Sequence, residues 1–234
     1  MKHDFVYEGK ELELFSRAVN WKRRVSKQVL PFVKGEVAEI GPGPGNFTPY
    51  LFNSDVRSWT YVEPDATYAA ALNNLPVITE IITGTISDLP DYPRFDTIIY
   101  LDVLEHIADD RREVKMLMDR LKPGGIVIVL CPAFNFLYSP FDKAIGHHRR
   151  YTRRMLRLLF LPPWQIIEST YLDSAGFLAS LGNRLFLKQK DPKLAQILFW
   201  DRVLVKMSRV LDIFFSKVFG RSVLVIAKKN TAAR

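Results

Sequence analysis

The chain holds one cysteine, Cys131, in 234 residues. A lone cysteine excludes an internal disulfide and any multi-cysteine metal site, and it fits a reducing compartment. Its place at the end of an apolar run reads as a small buried hydrophobe. No uncharged apolar run reaches the roughly 20 residues that span a bilayer. Residues 1–8, Met-Lys-His-Asp-Phe-Val-Tyr-Glu, lack the apolar stretch of a secretory leader, so no signal peptide and a cytoplasmic location are expected. No internal repeat or low-complexity segment is present. No spacing of His, Asp and Glu reads as a ligand set. His147 and His148 are adjacent and on a strand would face opposite sides, so no metal is expected.

What the chain has is 48% hydrophobic and 25% charged residues, the profile of a soluble globular protein. Its length suffices for one sizeable core and a small cap. A net charge of +8 suggests anionic partners, although surface lysines alone produce such values.

The chain is organised around residues 37–46, Val-Ala-Glu-Ile-Gly-Pro-Gly-Pro-Gly-Asn. Val37, Ala38 and Ile40 make an apolar run the size of a buried strand. Gly41, Gly43 and Gly45 then permit a sharp turn with positive φ and no Cβ, so a ligand can approach the backbone. Pro42 and Pro44 stiffen the turn. Phe47, Tyr50, Leu51 and Phe52 can share one face of a helix expected to begin near Asn46. Strand, glycine turn and helix form the opening unit of a nucleotide-binding α/β sheet. A tight turn without a ligand is the alternative.

Upstream, residues 1–35 read as helical, with Leu12, Phe15, Val19, Trp21, Val25 and Val29 at helical spacing and Arg23, Arg24 and Lys27 toward solvent. A second strand over 59–65 ends in Glu63-Pro64-Asp65. Glu63 lies 22 residues after Gly41, the spacing of a ribose-clamping carboxylate. A helix-capping acid is the other reading, which Asp65 also suits. Further strands are expected over 77–83, 95–101, 126–130, 164–171 and 222–227. Helices are expected over 109–120 and 152–160, with a turn at 122–125. Such alternation argues for a parallel, doubly wound sheet. Residues 134–151 interrupt it. Arg149, Arg150, Arg153, Arg154 and Arg157 fall within nine residues, just after His147 and His148. Residues 176–219 are mostly helical and strongly apolar.

Glu39-Ile-Gly-Pro-Gly-Pro-Gly45, Glu63, Leu101-Asp-Val-Leu-Glu-His106 and Leu121-Lys-Pro-Gly-Gly125 stand in this order. On these motifs, which cover roughly residues 37–131, the chain resembles the class I S-adenosylmethionine-dependent methyltransferases. Pro132-Ala133, Asp142 and Gly146-His-His-Arg-Arg-Tyr-Thr152 resemble a bacterial subgroup with a Gly-His-x-Arg-Arg-Tyr-Thr motif, often found beside glycosyltransferases. The resemblance implies an α/β fold: a doubly wound, seven-stranded, Rossmann-like sheet whose last strand, 222–227, is antiparallel. It implies one methyltransferase domain over 1–234 with a helical cap from 1–35, 134–160 and 174–220. It implies S-adenosyl-L-methionine as cofactor and S-adenosyl-L-homocysteine as product. Gly41 and Gly43 would pass close to the amino-acid part of the cofactor, with Glu39, Pro42, Gly45 and Asn46 in the same turn. Glu63 would take both ribose hydroxyls, with Pro64 beside it. Thr85 and Ile86 would flank the adenine, and Leu101, Asp102 and Val103 would complete the cofactor site. Many relatives carry an aspartate where Thr85 stands, and Asp88 is not in the same place.

Methyl transfer from a sulfonium is an in-line displacement, so the protein mainly aligns the partners and removes a proton from the nucleophile. For a hydroxyl acceptor the base should be a histidine or carboxylate at the mouth of the sheet. His106, His147 and His148 are the candidates, with Asp142 to orient one of them; for His106 an orienting contact to the loop is the alternative. Asp102 and Glu105 could set a negative field near the sulfonium, or stabilise a helix N-terminus. Trp21, Tyr138, Arg149, Arg150 and Tyr151 are the candidate acceptor contacts. The arginine cluster reads as a solvated helix face, as a grip for a phosphate or carboxylate, or as a nucleic-acid contact, which the lack of an RNA-binding module disfavours. Residues 197–219 read as a cap helix over the acceptor pocket or a homodimer seam. Alternatively they form an interfacial helix peripheral to the inner membrane face, suited to a lipid-linked acceptor. The expected function is methyl transfer to a small-molecule or lipid- or sugar-linked acceptor at oxygen, in bacterial secondary-metabolite or glycan modification. The alternatives are an RNA methyltransferase or a non-catalytic cofactor-binding module. A nicotinamide-dependent oxidoreductase fits less well, because the turn reads Gly-x-Gly-x-Gly and then Asn46.

Overall fold

The computed structural model describes residues 10–75, 79–187 and 193–230. Two helices, α1 (Lys10–Ser16) and α2 (Val19–Val29), lead into β1 (Gly35–Ile40). Then come β2 (Val56–Glu63), α3 (Ala66–Ala71), β3 (Glu80–Thr83), β4 (Phe95–Leu101), α4 (Asp110–Arg120) and β5 (Leu121–Pro132). The second half holds α5 (Pro140–Ala144), α6 (Arg153–Leu159), β6 (Trp164–Leu172), α7 (Ser174–Gly182), α8 (Leu194–Phe199), α9 (Val205–Phe215) and β7 (Ser222–Lys229).

The seven strands form one sheet in the order β3-β2-β1-β4-β5-β7-β6. β1 to β5 are parallel, and β7 runs antiparallel between β5 and β6. Successive side chains on a strand point to opposite faces. Ala38, Ile98, Tyr100, Val127, Val129 and Val225 therefore share one face, packed on Val114 and Leu117 of α4 and Leu156 of α6. Val37, Ile99, Ile128, Leu130, Leu224 and Ile226 share the other, under Val25 and Val29 of α2 and Val205 of α9. Burial on both faces explains why these strands read as continuous apolar runs. The order reverses between β1 and β4, which places the ligand crevice at their carboxyl ends.

Two local expectations differ from the structure, and a third is observed in part. The helix expected after Asn46 is a single 3-10 turn, Thr48–Tyr50. Leu51 is buried, and Phe52 is 44% exposed. The expected turn at 122–125 lies inside β5: the register shifts opposite Phe95 and Thr97, and Gly124 takes φ +78°, so the extra residues form a bulge. Of the strand expected over 77–83, Glu80–Thr83 is observed; Val77 and Ile78 lie outside the described residues.

Three buried aspartates tie the cap to the sheet. Asp173, before α7, accepts from Ser208 Oγ at 2.7 Å and Trp200 Nε1 at 2.6 Å. Asp212 of α9 accepts from the main-chain N–H of Asp173 at 3.0 Å and Ser174 at 2.9 Å, and pairs with Arg24. Arg24 was expected at the solvent face; the partner on α9 turns it inward. Asp201 accepts from Trp21 N–H at 2.8 Å and Asn20 Nδ2 at 2.8 Å. Among the described residues no helix is long and apolar enough to cross a membrane.

Candidate active site

The glycine turn leaves β1 at the point where the strand order reverses. Gly41, Gly43 and Gly45 have φ of +60°, +57° and +75°. A Cβ on Gly41 would meet Val103 Cγ2 at 2.9 Å, so this main chain lies hard against the loop after β4. Glu63, at the end of β2, turns toward the bend and is 4% exposed. Its Oε2 accepts from Gly43 N–H at 2.8 Å and its Oε1 from Asp65 N–H at 3.0 Å. Burial raises its pKa, and those two main-chain bonds oppose the rise. Asp65 meanwhile caps α3, accepting from Thr67 N–H at 2.8 Å. The two acids thus divide the clamp geometry and the helix cap between them.

A cavity of about 650 Å³ opens beside the turn. Its floor is Ile40, Gly41, Pro42, Gly43, Glu63 and Pro64, with Thr85, Ile86 and Ser87 at one end. Asp102, Glu105, His106, Asp142, His147 and Arg150 also line it, as do Phe15, Trp21 and Trp200. Asp142 organises this corner. It accepts from His147 Nδ1 at 2.9 Å and from Arg150 Nε at 2.7 Å through Oδ1, and from Arg150 Nη2 and Ser139 N–H through Oδ2. Burial alone would raise its pKa; the bonds from His147, Arg150 and Ser139 outweigh it and hold the carboxyl well below the usual range. Burial, with His147 and His148 nearby, pulls His106 down to about 4, so its imidazole is neutral at pH 7. The His106 and His147 rings meet edge to face at 4.6 Å. Asp102 is raised by burial, against the pull of His147, Arg221 and Arg150.

Of the residues singled out from the sequence, Trp21, Gly41, Pro42, Gly43, Asn46, Glu63, Pro64, Thr85, Ile86, Leu101, Asp102, Val103, His106, Asp142, His147 and Arg150 line this cavity. Six others lie behind it. Glu39 accepts from Thr48 Oγ1 at 2.8 Å and Trp59 Nε1 at 3.1 Å, bracing the turn from below. Gly45 shapes the turn. Tyr138 donates to His147 O at 2.7 Å. Arg149 pairs with Asp110 at 2.6 Å, and Tyr151 donates to the same carboxylate at 2.8 Å. His148 is exposed and donates its N–H to Glu105 O at 2.8 Å. Arg153, Arg154 and Arg157 border a separate groove with Leu158 and Trp164. Thr85 and Asp88 close a capping box, with Thr85 N–H on Asp88 Oδ2 at 2.8 Å.

Trp200, within the stretch read as a cap over the acceptor pocket, lines the cavity, and so do Lys22, Phe141 and Arg221, to which no site role was given. Arg221 stacks on Trp200 at 4.4 Å. It comes from the loop before β7, and no local pattern in the sequence points to it.

A seven-stranded sheet of this order, with an antiparallel β7 and a carboxylate facing a glycine turn, defines the Rossmann-like methyltransferase class. The chain belongs to the family described as a methyltransferase domain, which matches residues 13–165. It is 26% identical over 118 residues to the tRNA U34 carboxymethyltransferase of Ruthia magnifica subsp. Calyptogena magnifica, across 47% of this chain and 36% of that protein. It is 30% identical over 99 residues to the ubiquinone biosynthesis O-methyltransferase of Rickettsia bellii (strain OSU 85-389), across 40% of each. The chain thus spans well under two thirds of either curated relative. The plantazolicin methyltransferase BpumL, solved in complex with SAH, superposes with a TM-score of 0.56 at 10% identity, covering 96% of this chain and 86% of that one. At that identity the likeness is one of fold.

Proposed function

We propose that the chain transfers a methyl group from S-adenosylmethionine to an oxygen of a small-molecule or lipid- or sugar-linked acceptor, as one domain with the cap over its cavity. The observation that carries this is Glu63: a buried carboxylate aimed at a glycine bend, with acceptor capacity left over after its two main-chain bonds. The residues fit the cofactor. The bend has no room for a Cβ at Gly41, and Glu63 offers two further acceptor positions to vicinal hydroxyls. Glu63 and Pro64 hold the sugar, Thr85 and Ile86 border the base, and Gly41, Gly43 and Asn46 take the amino-acid end, with Leu101, Asp102 and Val103 opposite. Glu39 and Gly45 keep the bend in shape. When bound, the cofactor supplies an activated methyl group, so the protein needs alignment and a proton acceptor. His147 suits the second role. Asp142 holds its Nδ1 at 2.9 Å, which leaves Nε2 to accept a proton from an acceptor hydroxyl. His106 packs against it, and His148 lies beyond. Trp21 and Arg150 border the acceptor end, with Arg150 and Arg221 supplying positive charge for an anionic group. Tyr138, Arg149 and Tyr151 support that end through His147 and Asp110.

A lipid-linked acceptor and peripheral contact with the inner membrane face are supported by the outer side of α9. Val210, Ile213 and Phe214 are 61%, 73% and 71% exposed, with Lys206 and Arg209 beside them. An apolar stripe between cations suits an anionic bilayer. Sedimentation with anionic vesicles supports this if Phe214→Glu abolishes it; a homodimer whose dissociation the same change causes would favour the seam instead. An RNA acceptor draws support from the tRNA-modifying relative, and steep salt dependence of RNA binding would favour it. Incubation with S-adenosylmethionine and bacterial small-molecule and lipid extracts tests the main reading. It predicts extract-dependent formation of S-adenosylhomocysteine. A chain that binds cofactor but never turns over with any extract, RNA included, is a binding module.

A further inference from the structure

The corner beside Asp142 holds a donor set that no linear spacing revealed. Glu105 is completely buried at the cavity wall beside the Cys131 thiol, and neither of its carboxyl oxygens has a hydrogen-bond partner at normal distance and angle among the described residues. A buried acid side chain without a partner in good geometry is unusual. Glu105, His106 and His147 each offer one ligand atom, and the three atoms lie within 4.8 Å of one another. His147 Nε2 stands 3.8 Å from Glu105 Oε1. Ligands on a tetrahedral ion at bonds near 2.1 Å sit ~3.4 Å apart, so small side-chain rotations close the set. His147 is also oriented as metal-bound imidazoles are, with Nδ1 held by the Asp142 carboxylate at 2.9 Å and Nε2 turned to the shared point.

We infer that Glu105, His106 and His147 form a binding site for one divalent transition-metal ion, of the Zn²⁺, Co²⁺ or Mn²⁺ kind, open to the acceptor end of the cavity. Two imidazoles and one carboxylate suit those ions better than Mg²⁺ or Ca²⁺. Three protein ligands on one wall leave a coordination position facing the cavity, where an acceptor oxygen can bind. The acceptor class is then one with an ionisable hydroxyl, alone or beside a second oxygen. This part rests on the function proposed above: an ion held there would lower the pKa of a bound acceptor hydroxyl, and the proton it releases would pass to water in the open cavity rather than to His147. The ion site itself does not depend on the cofactor.

The test strips the full chain with EDTA, titrates it with Zn²⁺ by calorimetry and with Co²⁺ by visible absorbance, and measures SAH binding on the same samples. One ion per chain is expected, with a Co²⁺ spectrum distinct from that of the aqueous ion. Glu105→Gln and His147→Ala should lose that binding, and Asp142→Asn should weaken it about 10- to 100-fold. SAH should bind with and without the ion. No ion bound at millimolar concentration overturns the site, as does unchanged affinity in both ligand variants. Should those variants fail to fold, a wild-type Co²⁺ spectrum matching the aqueous ion overturns it. Loss of SAH binding with the ion retained overturns the cofactor reading instead.

Discussion

Replacing Glu63 with Gln is the perturbation whose size the structure sets most directly. An ionised carboxylate offers about four acceptor positions. Two are filled by Gly43 N–H at 2.8 Å and Asp65 N–H at 3.0 Å. The other two are what the sugar hydroxyls would use. Gln keeps one acceptor oxygen, so one bond to a charged group, worth about 1.5–3 kcal/mol, is lost and the other becomes an ordinary neutral bond; the cost is at least about 2 kcal/mol, or about 30-fold in Kd. The Gln amide makes matters worse, because its NH₂ must face one of the two main-chain donors. Calorimetric titration with SAH measures the loss, and circular dichroism checks that the variant is folded. Burial raises the Glu63 pKa, so wild-type affinity should also weaken as the carboxylate protonates in acid. A folded Glu63→Gln chain that binds SAH within threefold of wild type would refute the ribose clamp.

Gly41→Ala forces a side chain to φ +60° with its Cβ 2.9 Å from Val103. It should lower stability by about 1–2 kcal/mol and SAH affinity at least tenfold; Gly182→Ala, whose Cβ meets nothing within 4 Å, serves as the denaturation control. Burial lifts the Glu39 pKa from 4.5 to about 7. The folded chain then holds a proton that the unfolded chain has released, so this group's contribution is fully present below the unfolded value and is lost as pH rises through 7. Glu39→Gln should therefore gain up to about 3 kcal/mol relative to wild type at about pH 8 and little at about pH 4; equal effects at both pH values in thermal melts would contradict it. Asp142 has the opposite sign. Its depressed pKa gives stability present above ~4, the unfolded value, and lost as pH falls through the folded one. Asp142→Asn should cost about 2–4 kcal/mol near neutral pH, with the gap closing in acid.

What the sequence made legible was local or periodic. The glycine bend, the acid after the second strand and the alternation of apolar runs lie within short windows, and they sufficed for a parallel, doubly wound sheet; the seven strands and the antiparallel last one were implied by the family resemblance, and the strand order is seen in the structure. The acceptor end was less legible because it is assembled from distant positions. Glu105 and His147 are 42 residues apart, and Arg221 reaches the cavity from the loop before β7. Arg149 and Arg150 look alike in sequence, yet one pairs with Asp110 behind the cavity and the other with Asp142 at its wall. That choice depends on which carboxylate the fold brings near, and local composition does not encode it. The anchoring of the cap by Asp173, Asp201 and Asp212 escaped notice for the same reason.

The measurement that bears most directly on the account is a structure of the full chain with SAH bound. The predicted result is both sugar hydroxyls within hydrogen-bond distance of the Glu63 carboxylate, with the sulfur lying along the main chain from Gly41 to Gly43. SAH located elsewhere, or held in the cavity with its sugar turned away from Glu63, would contradict it.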